Sequence, residues 1–188
     1  MTKDIIENVI KLYLNLPNNK KSTNAIILKV FEPFALSSML LVRLDCPTLP
    51  PVEMVLKLFD RRFATQLREE GKNSGWNSDI EKKYHQFMTD GGASKFIAEL
   101  EAESKATHEN DHSWSPSQDE AYLHNHLRSL YEIEVEVYNT LKDLQGEVIP
   151  QFFSCITTPS FPAADTAQVD EYTKIHGFFL QHIEGFPV

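Results

Sequence analysis

The sequence predicts an α+β domain with five β-strands and one long helix between the third and fourth. An N-terminal helix and a helical insertion complete it. Three observations carry this expectation. Between Pro116 and Gly146 no Pro or Gly interrupts the chain, and apolar residues recur at helical spacing. Val52 to Phe59 is apolar on both alternating faces, as in a covered strand. Shorter apolar runs bounded by turn residues stand on either side of these two segments.

In chain order, residues 4 to 16 place Ile6, Val9, Ile10 and Tyr13 on one helical face. The polar face is not basic, as a membrane anchor's would be, so this reads as a short helix packed on the domain. Asn15 to Asn24 is polar and turn-rich, so residues 1–24 are expected to form an N-terminal helix and linker. Ala25 to Phe34 reads as a strand ending at Pro33, and Ser38 to Leu44 as a second. Their short connection predicts a hairpin. Cys46 to Pro51 holds three prolines and is a loop. In the next strand Val52, Met54, Leu56 and Leu58 share one face, while Val55 and Phe59 flank Lys57 on the other.

From Arg61 to Asn110 the pattern turns helical. Ser78 and Glu81 have capping-box spacing ahead of Ile80, Tyr84, Phe87 and Met88. Gly91-Gly92 ends that helix, Ser94 to Lys105 forms another around Phe96, Ile97 and Leu100, and His108 to Ser113 is a polar linker. The apolar content is too small for a separate core. Residues 61 to 114 are therefore expected to be an insertion on the outside of the domain, seated through Ile80, Tyr84 and Phe87. The long helix opens with Ser115 as cap, Pro116 at the first position and Gln118 at the third. Leu123, Leu127, Leu130, Val137, Leu141 and Leu144 make its apolar stripe, and Gly146 suits the residue after its end. Glu134 projects from the middle of the stripe, with Glu132 and Glu136 on the opposite side. Ile149 to Thr157 reads as a strand, Thr158 to Asp170 as a loop, and Thr173 to Ile183 as the last strand.

Charge and composition exclude several classes. The formal net charge is -9 over 188 residues with no Lys/Arg block, which argues against nucleic acid or an anionic membrane as partner. No window reaches the ~20 apolar residues of a membrane span, and no signal-peptide pattern is present. A cytoplasmic or nuclear, non-secreted protein is expected. Cys46 and Cys155 are too few for a disulfide framework and read as buried free thiols. His108 and His112, with Glu109 and Asp111, complete no tetrahedral metal set, nor do His124 and His126, so they read as solvated surface. Arg61 and Arg62 read as caps or partners for the insertion rather than phosphate ligands.

A carboxylate on a buried helix face needs a cationic partner, and Lys57 is the one cation on its strand. Lys57 and Glu134 are therefore expected to form a salt bridge. On the residues alone, a ligand-free buried pair, or a Lys57 that snorkels to water, is the simpler account. A charged Lys held this way is also a fixed point charge for phosphate oxygens.

Met54-Val55-Leu56-Lys57 resembles the Val-Ala-Ile-Lys strand of the protein kinase-like superfamily. Glu134 followed seven residues later by Leu141 resembles that family's helix with a Glu and a Leu at this spacing, and Phe178 to Gly185 resembles the last strand of its N-terminal lobe running into the hinge. Residues 56–64, the insertion and residues 181–187 resemble uncharacterised kinase-like proteins of filamentous fungi. The resemblance covers Ala25 to the end of the chain, outside the insertion. It implies an antiparallel five-stranded small lobe with ATP as its ligand. Lys57 would hold the phosphates and Glu134 would orient it. Val55 and Leu180 would line the adenine pocket, and the backbone of Gln181, His182 and Ile183 would face the adenine edge.

Two departures shape the functional expectation. The place of the family's Gly-rich loop, Phe31 to Ser38, contains no glycine, leaving Ser37 or Ser38 as donors. No His-Arg-Asp…Asn loop and no Asp-Phe-Gly occurs, and Asp90-Gly91-Gly92 precedes the long helix and reads as a turn. The implied protein is a nucleotide-binding small lobe of a phosphotransferase that ends at the hinge and is inactive alone, with no catalytic residue in this chain. It would bind ATP weakly, and Mg²⁺ only with a C-terminal lobe. The alternative is a pseudokinase-like or adaptor fragment that binds another polypeptide, or itself, through its exposed interlobe face.

Overall fold

A computed structural model describes residues 9–16, 19–44, 52–103, 114–158 and 167–185. Six strands form its centre: β1 (Val9–Leu16), β2 (Asn19–Phe31), β3 (Ser38–Leu44), β4 (Glu53–Phe59), β5 (Phe152–Thr157) and β6 (His176–Gln181). Every neighbouring pair is antiparallel, and the order β1-β2-β3-β4-β6-β5 closes on itself. This closed barrel overturns the expected open, five-stranded small-lobe sheet.

The difference comes from the N-terminal segment, which is a strand and not a helix. Ile10, Leu12 and Leu14 alternate with Lys11 and Tyr13, the two-residue period of a strand with one buried face. Leu12 is fully buried inside the barrel, and Ile10 and Leu14 pack on the same core. β1 pairs along its length with β2, and Tyr13 and Leu14 also pair with Thr157 and Ile156 of β5. That second pairing shuts the barrel and removes its free edges. Of the residues read as a polar linker, Asn15 and Leu16 end β1 and Asn19 to Asn24 begin β2, while Ile6 lies outside the described residues. So do the segment Cys46 to Pro51, read as a loop, and the one read as a linker that holds His108, Glu109, Asp111 and His112.

Alternation sorts the remaining strand residues into two cores. Leu40, Val42, Met54, Leu56, Leu58, Ile156 and Phe179 fill the barrel with Leu12 and Ala25. On the outer face, Phe59, Phe178 and Leu180 pack against Leu127 and Tyr131 of a long helix.

Among the described residues five α-helices accompany the barrel: α1 (Thr65–Glu70), α2 (Ser78–Thr89), α3 (Gly92–Glu103), α4 (Pro116–Thr140) and α5 (Ala167–Thr173). α4 begins with the expected capping box, Ser115 and Gln118 bonding reciprocally. It ends earlier than expected, at Thr140. A 3-10 turn (Lys142–Leu144) follows, and Gly146 takes φ +83°, where a side chain would be strained. Its buried stripe also drifts from the expected one. Tyr131, Val135 and Tyr138 face the core, whereas Val137 and Leu144 are exposed. α2 is capped by Asn77, whose side chain accepts from the Asp79 and Ile80 amides, so Ser78 is its first residue and not its cap. α5 occupies part of the stretch read as loop and last strand.

A third core joins α2, α3 and α4 through Tyr84, Met88, Ala93, Phe96, Ile97 and Ala121. The insertion sits outside the barrel on this core, with Tyr84 fully buried and Ile80 and Phe87 half-buried. Among the described residues no helix is long and apolar enough to cross a membrane.

Candidate functional site

The outer face of β4 presents Val55, Lys57 and Phe59 toward α4, because Met54, Leu56 and Leu58 are committed to the barrel interior. Lys57 reaches Glu134 of α4 with its Nζ 2.6 and 2.7 Å from the two carboxylate oxygens. The ammonium also lies 5.3 Å from the centre of the Phe59 ring. The pair is only partly buried: the side chains keep 19% and 37% of their surface. It is therefore reachable by a ligand. Burial, and secondarily the Glu134 charge, pushes the neighbouring Tyr138 phenol above its ordinary pKa, so it stays protonated near neutrality.

Tight strand packing fixes Lys57. Gly177 of β6 stands opposite Leu58, and a Cβ there would come within 2.4 Å of the Lys57 carbonyl oxygen. The missing side chain lets β6 run against β4 at this point.

Beside the pair lies a cavity of about 570 Å³ lined by Val55, Leu180, Gln181, His182 and Ile183, with Phe31 and Met39 across from them. Val55 and Leu180 are direct register partners, and Met39 is the partner of Lys57 on β3. Of the seven residues singled out from the sequence, five line the cavity, Lys57 lies two residues along β4 from Val55, and Glu134 meets Lys57 from α4. The Gln181 amide is already engaged, donating to the Gln151 carbonyl at 2.8 Å. His182 and Ile183 follow the end of β6, and His182 Nδ1 lies 3.9 Å from a Glu53 carboxylate oxygen.

Of the two donors considered in the connection between β2 and β3, Ser37 is half-buried and Ser38 is withdrawn. Ser38 points into the barrel with 4% of its surface exposed. The loop itself is tied to α1 and the 3-10 turn before it (Arg61–Phe63): the Thr65 hydroxyl donates to the Phe34 carbonyl, the Gln66 amide to that of Ala35, and the Phe34 and Phe63 rings meet edge-on at 5.4 Å.

The sequence reading missed a second charged centre. Glu120 of α4 is 1% exposed and receives Arg61 and Arg68, the latter at 2.8 and 3.0 Å. Arg61 also holds Glu81 of α2 at 2.7 and 2.8 Å and lies 4.2 Å over the Tyr84 ring. Burial would lower the Arg61 pKa, but Tyr84, Glu120 and Glu81 outweigh it and hold it above its ordinary value. Burial would likewise raise the Glu81 carboxyl, but Arg61 and Trp76 hold it below. Every charge in this cluster is matched, so it fastens the insertion to α4. Arg61 partners the insertion as expected, while Arg62 bonds back to Asp60. A signal was present: Glu120 lies fourteen residues before Glu134, nearly the same azimuth on a helix.

The remaining histidine candidates have structural partners. His124 Nε2 lies 3.1 Å from the Glu171 carbonyl, which can only accept, so that nitrogen carries the proton. His126 stacks on Tyr122 with 11° between the planes. Cys155 is a free thiol. In comparisons with known proteins, the chain matches no family model, no curated protein and no solved structure.

Proposed function

We propose that this chain is a nucleotide-binding module of a kinase-like phosphotransferase, with ATP as its ligand. The observation that carries the reading is the Lys57–Glu134 ion pair beside the Val55–Leu180 cavity. Lys57 would meet phosphate oxygens as a positioned point charge, and Glu134 orients it. Val55 and Leu180 would take the base, with the His182 and Ile183 backbone at its edge. The volume suits a small-molecule site, which is typically ~300–1,000 Å³. The reading concerns the outer face of the sheet and asks nothing of whether the sheet is closed. One cation faces a triphosphate and the β2–β3 loop is tied elsewhere, so binding is weak. Phosphoryl transfer and Mg²⁺ belong to a catalytic loop and metal-binding Asp, motifs that this sequence does not contain. An ATP-binding chain with a free thiol at Cys155 fits the cytoplasm or nucleus.

The test is amide mapping by NMR of the ¹⁵N-labelled chain during an ATP titration. Saturable shifts at Val55, Lys57, Leu180 and Ile183 are expected. Shifts that scatter or never saturate would refute the assignment.

A second reading, a protein-binding module, is favoured by one observation. Ile133 and Val137, one turn apart on α4, are 56% and 47% exposed. Sedimentation should then show self-association that Ile133→Lys abolishes; a monomer at all concentrations, with no partner that Ile133→Lys releases, would remove that reading.

A further inference from the structure

The barrel core stops short of one end of the barrel. There, where β2 turns into β3 and β4 gives way to the 3-10 turn at Arg61–Phe63, a cavity of about 650 Å³ remains. It is separate from the one beside Lys57. Ile10, Ile27, Leu40, Leu58 and Ile175 give it apolar walls. Two lining residues carry hydroxyls that have no hydrogen-bond partner among the described residues: Ser38, 4% exposed, and Thr158, 7% exposed. Buried polar groups are nearly always paired, so two orphans at one cavity call for a ligand. The mouth of a barrel is also a common place for one.

The charges around this mouth decide the ligand class. Lys11, Arg61 and Arg62 are balanced by Glu32, Asp60 and Glu81. Both guanidiniums are already held, Arg61 by Glu81 and Glu120 and Arg62 by Asp60. Burial, with Arg61 nearby, keeps His124 at the rim uncharged. Lys11 and Glu32, both exposed, form no ion pair among the described residues and leave one charge of each sign in the water at the mouth, which favours neither an anion nor a cation, whereas a hydroxyl, amide or ketone group finds buried hydroxyl donors in Ser38 and Thr158.

We propose that the barrel mouth binds an uncharged amphipathic small molecule, with its apolar body against Leu40, Leu58 and Ile175 and its polar end on Ser38 and Thr158. The site needs no nucleotide and stands or falls apart from the ATP reading.

The test titrates the full ¹⁵N-labelled chain with 1-octanol, octanoate and octylammonium. For 1-octanol, saturable amide shifts centred on Ser38, Leu40, Leu58 and Thr158 are expected, with affinity at least fivefold above that of either charged analogue. Ser38→Ala, a small change on a folded barrel, should weaken octanol at least threefold. Wild-type mapping alone is decisive where that variant fails to fold. No saturable shift at these residues, equal affinity for a charged analogue, or a folded Ser38→Ala with unchanged affinity would overturn the proposal. So would nuclear Overhauser contacts showing that the chain's own residues fill the mouth.

Discussion

Lys57 and Glu134 hold each other across the gap between β4 and α4, but as a partly exposed pair. Their coupling should accordingly be about 1 kcal/mol in a double-mutant cycle of Lys57→Met and Glu134→Gln, well under the ~3–5 kcal/mol lost when a fully buried pair is broken. Urea unfolding of the four proteins measures it, and additive effects would show that the pair contributes nothing. This pair was legible because each charge interrupts an otherwise apolar pattern. The deeper centre at Glu120 was not. The stripe was started at Leu123, one turn too late, and Arg68 sits in a polar run that looks like surface. Burial of an Arg becomes visible only when its distant carboxylate is placed, and Glu120 is far away in sequence.

The elements show the same limit of local information. β3, β4, β6 and the capped start of α4 were legible because alternation, turn residues and a capping box are short-range signals. β1 was misread because four apolar residues also fit a helical face, and the alternation of Ile10, Leu12 and Leu14 was given less weight. Barrel closure had no local signal at all, since Tyr13 pairs with Thr157 near the other end of the chain. The close approach of β6 to β4 gives a sharp test. In Gly177→Ala the added Cβ would meet the Lys57 carbonyl at 2.4 Å, and backbone cannot yield as a flexible side chain does. A loss of about 1–3 kcal/mol in thermal or urea unfolding is expected, with shifted Lys57 amide resonances. Unchanged stability would mean that the two strands do not run this close.

At the scale of the whole molecule, barrel, α4 and insertion are joined by packed cores and by matched charges, and that sets a pH dependence. Burial, and then Arg61, lowers the His124 pKa from 6.5 to about 3; burial, and then Arg128, lowers that of His176. Below pH 6.5 the unfolded chain takes up protons that the folded one refuses, so these groups' contribution is intact above that pH and falls as pH falls. The slope is at most ~1.4 kcal/mol per pH unit for each group. Unfolding at pH 7, 6 and 5 should show the decline, and His124→Gln should flatten it; stability that is level or rising toward pH 5 would contradict this. The central claim, that the face beside Lys57 takes a nucleotide, has its own direct measurement. Isothermal titration of the chain with ATP and with adenosine should show weak, saturable binding of both, with ATP the tighter. Lys57→Met should abolish the difference and leave adenosine unaffected. No binding of either, or an ATP affinity that Lys57→Met does not change, would contradict it.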